Sequence, residues 1–369
     1  MVDKKRILYV ADYLPTKANS VGAILQVLLQ SFAREDREFI IVHNADGEIS
    51  AADVTYIDGY KTYTTEEADG RRKLSRFIRR GKTFMAHRTK REESLLQLEQ
   101  IIRAESPDLI IFFVFSPDQD YARICIRNQT EYVWVLYDTY IARPGIQFDE
   151  GYEIEKYVIE NAKAYFIPSF FYPEYQRTYQ TEKVVSYDLP LLIEKQEVLA
   201  AYNRKAPVFD YTYFGQIQSF RNEEAVKAIC RKAAIKIDVF TAERHQSDDT
   251  FRIHEGLLKE ALYDVVAHSR FLIAFDNSAP FHIYLPSKSY LYASFTKPVI
   301  AFGDNETSSL KEFFSDYPYF YYQDIYASVE GLQAFIEANG EQSFHGELYD
   351  RYLRYLPQHA LTSFAGVMG

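Results

Sequence analysis

The stretch RFLIAFDNSAPFHIYLPSKSYLYASFTKPVIAF, residues 270–302, places two short apolar runs on either side of a proline, a lysine and a helix-compatible segment. RFLIAF and KPVIAF are continuous in their apolar character and bounded by Asp, Asn, Pro and Gly, the pattern of strands buried on both faces of a parallel sheet. Proline is favoured at a first helical position, where its missing N–H has no partner to lose, so Pro286 predicts a helix start. Ser287 and Lys288 would then present an N–H, a hydroxyl and an ammonium at the positive end of the helix dipole, a seat for a pyrophosphate. Strand, helix and strand in this order predict parallel pairing through a right-handed crossover.

The same alternation runs outward in both directions. DYTYFG (210–215) and IKIDVFTA (235–242) read as strands, with helices over 222–234 and 258–269. In the first half RILYVA (6–11), EFIIVHN (38–44), DLIIFFVF (108–115), EYVWVLYD (131–138) and AKAYFIP (162–168) read as strands, with helices over 21–35 and 92–104. The segment 189–207, with its two prolines and polar residues, is the expected linker. The fold class predicted is α/β, two Rossmann-like doubly wound lobes with a cleft between them, over residues 1–195 and 208–345. The aromatic-rich helical tail, 346–369, broken at Pro357, is expected to cross back to the first lobe.

Composition bounds the function. The chain has 369 residues, 47% of them hydrophobic and 25% charged, enough for two cores. Its formal net charge of −10 argues against nucleic acid as a partner, because neutralising phosphates needs a basic surface. The two cysteines, Cys125 and Cys230, are far apart and in no metal-ligand spacing, which fits a reducing cytoplasm. No window has the roughly twenty apolar residues of a membrane span, and the N-terminal apolar run lacks a signal-peptide pattern. One segment is strongly basic, RRKLSRFIRRGKTFMAHRTKR at 71–91. Its apolar residues, interleaved with Arg76, Arg79 and Arg80, suit an anionic membrane surface or an acceptor; a solvated loop or a protein-docking face reads equally well.

Ligands of doubly wound sheets sit beyond the carboxyl ends of the strands, so the loops there carry the chemistry. DYLPTKANSVG (12–22) ends in Gly22 at a helix start. YFGQIQSFRNEEA (213–225) sets Gly215 at a strand end and Arg221 beside a helix N-terminus, where phosphate is favoured. No G-x-G-x-x-G occurs, so the dinucleotide fingerprint is absent.

Taken together, these three loops resemble those of the GT-B glycosyltransferases, in particular the bacterial group-1 type that uses nucleotide-sugar donors. FDYTYFGQIQSFRNEEAVKAI (209–229) is similar to the segment opening the family's donor lobe, with Gln216 where the family often has arginine. The 270–302 stretch resembles Pro-x-Lys-x-x-x-Tyr followed by Lys-Pro-Val-Ile, which holds the diphosphate in such enzymes. Leu291 stands where the family usually has a ribose-gripping glutamate, and Phe281 and His282 occupy the region of a second one.

The resemblance implies a donor site of Gly22, Gly215, Gln216, Arg221, Thr241, Glu243, Asp276, His282, Pro286, Ser287, Lys288 and Tyr292. Asp138, at the end of EYVWVLYD, is the candidate catalytic base, and a strand-end aspartate is equally a helix cap, as is Asp12. It further implies no metal and no cofactor, with a UDP-sugar as substrate and a glycan or lipid-linked acceptor. The setting implied is bacterial surface polysaccharide synthesis, in the cytoplasm and peripheral to the membrane. Two alternatives stay open: a catalytically silent GT-B-like subunit that binds glycan or a partner, motivated by Leu291, and a sugar-nucleotide epimerase.

Overall fold

A computed structural model describes residues 5–11, 27–29, 37–44, 61–65, 79–114, 116–137, 148–217, 221–241, 245–257, 259–278, 285–340, 343–360 and 362–364. At 43–44, 61–65, 79–90, 148–150 and 259 it describes backbone alone. The chain divides into two units, Met1–Pro190 with Ala360–Gly369, and Leu191–His359.

The first unit is built on strands β1 (Lys5–Ala11), β2 (Arg37–Asn44), β3 (Lys61–Thr65), β4 (Leu109–Phe113), β5 (Tyr132–Val135), β6 (Ala164–Pro168) and β7 (Val184–Tyr187). They form one sheet in the order β3-β2-β1-β4-β5-β6-β7. Every pairing is parallel, for example Tyr9 with Ile41 on one side and Ile111 on the other. Ile7, Leu8, Ile40, Ile110, Phe112, Val133 and Phe166 have no exposed surface, as strands covered on both faces require. Helix α1 (Arg79–Glu105) takes in the whole of the expected 92–104 helix and extends back through the second half of the basic segment, seating Leu98 and Ile102 at 2% exposure each. Helix α2 (Gln119–Arg127) is capped by Asp118, whose side chain accepts from the Asp120 N–H. Helix α3 (Phe148–Asn161) buries Glu155, which accepts from the hydroxyls of Tyr165, Tyr175 and Tyr179, the last two on α4 (Tyr172–Tyr179). Phe364 stacks on Phe166 at 4.0 Å between ring centres.

The second unit repeats this plan. Strands β8 (Phe209–Phe214), β9 (Ile237–Thr241), β10 (Phe251–Glu255), β11 (Ser269–Phe275), β12 (Val299–Gly303) and β13 (Phe320–Asp324) pair in the order β10-β9-β8-β11-β12-β13, all parallel. Among the described residues no helix is long and apolar enough to cross a membrane.

The expected linker is a structured part of this unit. Helix α5 (Lys195–Tyr202) occupies its middle and buries Val198 and Ala201. Just before it the Ile193 N–H donates to Ser294 Oγ at 3.0 Å, and the Ile193 carbonyl accepts from Tyr349 at 2.7 Å. Polar residues marked this segment as a linker because most of the helix surface is exposed, Leu199 included at 40%, and only Val198 and Ala201 turn inward.

Each sheet reverses its strand order beside its first strand, between β1 and β4 and between β8 and β11. At such a reversal the flanking loops diverge to opposite faces and leave a crevice at the carboxyl ends. The second reversal positions the site described next.

Candidate anion site at the β8/β11 switch point

Strand β8 ends at Phe214, and Gly215 follows with φ +121°, a conformation open to glycine and strained for any L side chain. Its N–H donates to the Phe240 carbonyl of β9 at 2.9 Å, which fixes the turn. A Cβ at Gly215 would fall 2.6 Å from Lys288 Nζ and 2.7 Å from its Cε. Glycine here is what lets the lysine stem lie across the strand end.

After α6 (Glu223–Lys232) and α7 (Lys259–Ala267), Lys288 opens α8 (Lys288–Phe295), which runs back toward β12. The helix begins two residues later than Pro286 predicts. Pro286 and Ser287 form a preceding turn, with the Ser289 N–H donating to the Pro286 carbonyl at 2.9 Å, and Ser287 already in helical φ and ψ. A proline two residues before the helix therefore still directs entry, through the turn.

The pocket has a volume of about 60 Å³ and is lined by Tyr213, Arg221, Ala274, Phe275, Pro286, Ser287, Lys288, Ser289 and Tyr292. Among the described residues its lining holds no carboxylate. Lys288 is half-buried, and burial, together with the nearby Arg221 guanidinium, pushes its ammonium down to about 8. Two positive groups without an acid between them form a site whose electrostatic deficit an anion would fill.

Three neutral acceptors are among the groups that hold Arg221. Its Nε donates to Asn277 Oδ1 at 3.1 Å, and its Nη1 donates to the Gln216 carbonyl at 2.8 Å and to the Tyr213 hydroxyl. Tyr213 in turn donates to the same Gln216 carbonyl at 2.7 Å, and its ring stacks on Phe275 at 4.2 Å. Next to Arg221, Asn222 stands in left-handed conformation, φ 48°, before α6 (Glu223–Lys232), with its amide donating to Ser278 and Asp304. Strained positions of this kind persist where their surroundings over-determine them.

Ser289 supplies a second signal. Its side-chain oxygen is buried, has no hydrogen-bond partner among the described residues and lines the pocket. A buried hydroxyl left unpaired costs about 1–3 kcal/mol, so an orphan at a pocket wall points to a ligand that completes it.

The expected site residues divide into three groups. Gly215, Arg221, Pro286, Ser287, Lys288 and Tyr292 come together at the pocket; Tyr292 contributes its ring, because its hydroxyl donates to the Ile273 carbonyl at 2.9 Å. Gln216 has an exposed side chain and acts through its carbonyl on Arg221, and Thr241 ends β9 at 4% exposure. Asp276, expected to reach the sugar, is 2% exposed and turned into a network of its own, accepting from Tyr322 at 2.9 Å and Asn305 at 3.1 Å. Its burial raises its pKa, partly offset by those hydrogen bonds.

Gly22, Arg76, Asp138, Glu243 and His282 lie outside the described residues, as do the side chains of Arg79 and Arg80 on α1. Leu291 is 9% exposed and apolar, as the sequence implies. Tyr213, Asn277 and Ser289 were not anticipated; the small polar residue directly after Lys288, at a helix position otherwise filled with aromatic and aliphatic side chains, was the one legible signal. Among the described residues no group of His, Cys, Asp or Glu is placed to hold a metal ion.

Solved structures share this architecture over nearly the whole chain. Sucrose-phosphate synthase from Thermosynechococcus elongatus superposes with a TM-score of 0.63 at 11% identity, covering 99% of this chain and 96% of its own. A glycosyltransferase from Rickettsia africae gives 0.60 at 10% identity with the same coverages. A UDP-N-acetylglucosamine 2-epimerase from Listeria monocytogenes gives 0.54 at 11%, covering 98% and 94%. No protein-family model and no curated protein sequence matches the chain. The chain has the GT-B fold, two Rossmann-like units of parallel sheet and flanking helices, as the sequence resemblance implied.

Proposed function

We propose that the chain is a glycosyltransferase that takes a sugar from a nucleotide diphosphate, UDP foremost, and transfers it to a glycan or lipid-linked acceptor in bacterial surface polysaccharide synthesis. The observation that carries this reading is the pocket, without a carboxylate among its described lining residues, in which Lys288 and Arg221 stand beside the orphan Ser289 hydroxyl. Breaking a sugar–diphosphate bond develops negative charge on the leaving group. Cations fixed beforehand in a partly dry site stabilise that charge without reorganising, which lowers the barrier selectively. Lys288 and Arg221 would meet the diphosphate oxygens, Ser289 would donate to one of them, and the N-terminus of α8 would add its dipole. Asp138 is proposed as the base that takes the acceptor proton. The names of the structural neighbours, a glycosyltransferase and an enzyme of UDP-N-acetylglucosamine, support nucleotide-sugar chemistry.

Leu291 favours a second reading, a catalytically silent subunit that binds glycan or a partner, because an apolar side chain stands where a ribose-gripping carboxylate is expected. A thermal-shift panel of UDP, GDP, CMP and dTDP tests binding; a ligand at a hundred times its Kd stabilises by about 2.7 kcal/mol. UDP release from UDP-sugars, present in the wild type and lost in Lys288→Ala, is the result expected of the enzyme. Binding without release marks a mere binder, and no shift with any nucleotide removes the enzyme and favours the silent subunit.

A further inference from the structure

We propose that the groove between α1 and α2 of the first unit is the face through which two copies of this chain pair about a twofold axis. The proposal is independent of what the second unit binds.

The groove has a volume of about 650 Å³. At the start of α2, Arg91 of α1 reaches Asp118 at 2.8 Å and Asp120 at 2.9 Å. At its end, Arg127 reaches Glu99 at 3.2 Å and Arg103 donates to Asn128 at 3.2 Å, so the two helices run side by side in the same direction. Each offers the groove a stripe spaced i, i+3, i+4, i+7, which is one face of a helix. On α1 the stripe is Glu92, Leu95, Leu96 and Glu99, and on α2 it is Asp120, Arg123, Ile124 and Arg127. Leu96 is 56% exposed and Ile126, which also lines the groove, is 45% exposed, two of the five large apolar side chains exposed among the described residues. Apolar side chains gathered in one groove and rimmed by charge mark a docking face.

The charges say what docks there. The α1 stripe is acidic at both ends, and the α2 stripe carries two arginines. A twofold axis passing near Leu96 and Ile126 would set α1 of one copy antiparallel to α2 of the other. Glu92 would then meet Arg127 of the second copy, and Glu99 would meet Arg123. The two glutamates lie two turns apart, about 10.5 Å, and the two arginines one turn apart, about 6 Å, a difference that the long arginine side chains span. Within one chain the arginines of the Arg123–Asp120 and Arg127–Glu99 pairs are 55% and 62% exposed, so these pairs contribute little and leave the guanidinium groups open to sharing. Asp120, the carboxylate at odds with this pattern, is held by Arg91 as well as by Arg123. The three carboxylates of the rim oppose an anionic lipid surface. A second copy brings both complementary edges at once, and every contact it makes occurs twice.

The test is sedimentation velocity on the full chain and its variants over about 1–50 µM, with melting temperatures as a folding check. The full chain is expected to sediment as a dimer at the upper end of that range. Leu96→Asp puts an unpaired carboxylate into the interface twice and should weaken the dimer by about a hundredfold, leaving monomer throughout. A mixture gives the sharper result. A chain carrying Glu92→Arg and Glu99→Arg has two basic stripes, and one carrying Arg123→Glu and Arg127→Glu has two acidic ones. Each alone should be monomeric, and the two mixed should dimerise, because every basic stripe then faces an acidic one. If a charge variant does not fold, hydrogen exchange on the wild type decides: amides of residues 92–99 and 120–127 should exchange about threefold or more slowly at the high concentration than at the low one. A full chain that is monomeric throughout, a dimer that survives Leu96→Asp, a mixture that stays monomeric, or exchange unchanged by concentration overturns the proposal. Sedimentation of a monomeric chain with phosphatidylserine vesicles, lost in Leu96→Asp, also overturns it and gives the face to a membrane.

Discussion

Lys288 and Lys297 stand at the two ends of one short helix and share one electrostatic fact. Burial lowers the ammonium of each to about 8. Lys288 opens α8, while Lys297 follows Thr296, which ends the helix in left-handed conformation at φ 51°. Their surroundings differ. Lys288 faces a guanidinium in a pocket with an orphan hydroxyl, whereas Lys297 lies with its Nζ 5.0 Å from the centre of the Tyr202 ring at 7% exposure. One charge is met by a like charge and the other by an aromatic face, which attracts it. A depressed lysine pKa therefore does not by itself mark a functional site. What marks Lys288 is that its surroundings raise the cost of its charge when burial has already done so.

The largest effect expected from this contrast is on nucleotide affinity. Lys288→Ala should weaken UDP binding by about thirtyfold, in line with the roughly 1.5–3 kcal/mol of a charge-assisted hydrogen bond. The same replacement at Lys297 should leave affinity within about twofold, because no charge is removed from the pocket. Calorimetry on both variants breaks the comparison if the two losses are alike. Lys288→Ala should also melt no lower than wild type, since it relieves a buried like-charge contact.

The next effect is in pH. Lys288 binds an anion as the ammonium, and its pKa in the free protein lies near 8. Below that value the proton is already in place. Above it, binding must take up a proton, so affinity falls as pH rises. From pH 7.5 to 9.0 the protonated fraction falls by roughly eightfold, and UDP affinity should fall by about the same factor, with proton uptake visible as a buffer-dependent heat. Lys288→Ala should abolish the slope, and replacement of Lys297 should leave it intact.

A smaller effect belongs to Ser289. Ser289→Ala removes an unpaired buried hydroxyl, so the free protein should be as stable as wild type or more so, while UDP affinity falls by about threefold to fivefold. A stability loss without an affinity loss would make Ser289 an ordinary packing residue.

The sheets were legible in the sequence to the extent that their strands are central. RILYVA, EFIIVHN, DLIIFFVF, EYVWVLYD and AKAYFIP in one unit, and DYTYFG, IKIDVFTA, RFLIAFDN and KPVIAFG in the other, match strands with neighbours on both sides. The four strands not anticipated, β3, β7, β10 and β13, are the four sheet edges. Edge strands need no continuous apolar run, and KTYTT, VVSY, FRIHE and FYYQD carry threonines, charges and tyrosines in its place.

The site divides in the same way. Gly215, Arg221 and Lys288 were legible because each chemistry is local: a strand-end glycine, a cation at a helix start, a lysine after a proline. Asn277 was not, since its role depends on Arg221 fifty-six positions earlier in the chain. The partners of Asp276 were not legible for a related reason: Asn305 and Tyr322 come from two later strand ends.

Lys297 sharpens the comparison through stability alone. Burial lowers its folded pKa from the ordinary lysine value of 10.5 to about 8, so the folded state pays a penalty for the charged form. That penalty is fully present below about pH 8 and is relieved as pH rises toward the unfolded value, because across this window the unfolded chain binds more protons. Lys297→Met keeps an unbranched apolar stem against Tyr202 and removes the charge, with loss of a cation–π contact offsetting part of the gain by about 0.5–2 kcal/mol. Its melting temperature should exceed wild type by a few degrees at pH 7, and the gap should close as pH approaches 10. Scanning calorimetry at the two pH values checks both parts. A gap that is constant with pH would assign the gain to packing and leave Lys297 neutral in its native setting. A melting temperature below wild type would show that the ring contact outweighs burial, and Lys297 would then be a paired cation in full contrast to Lys288.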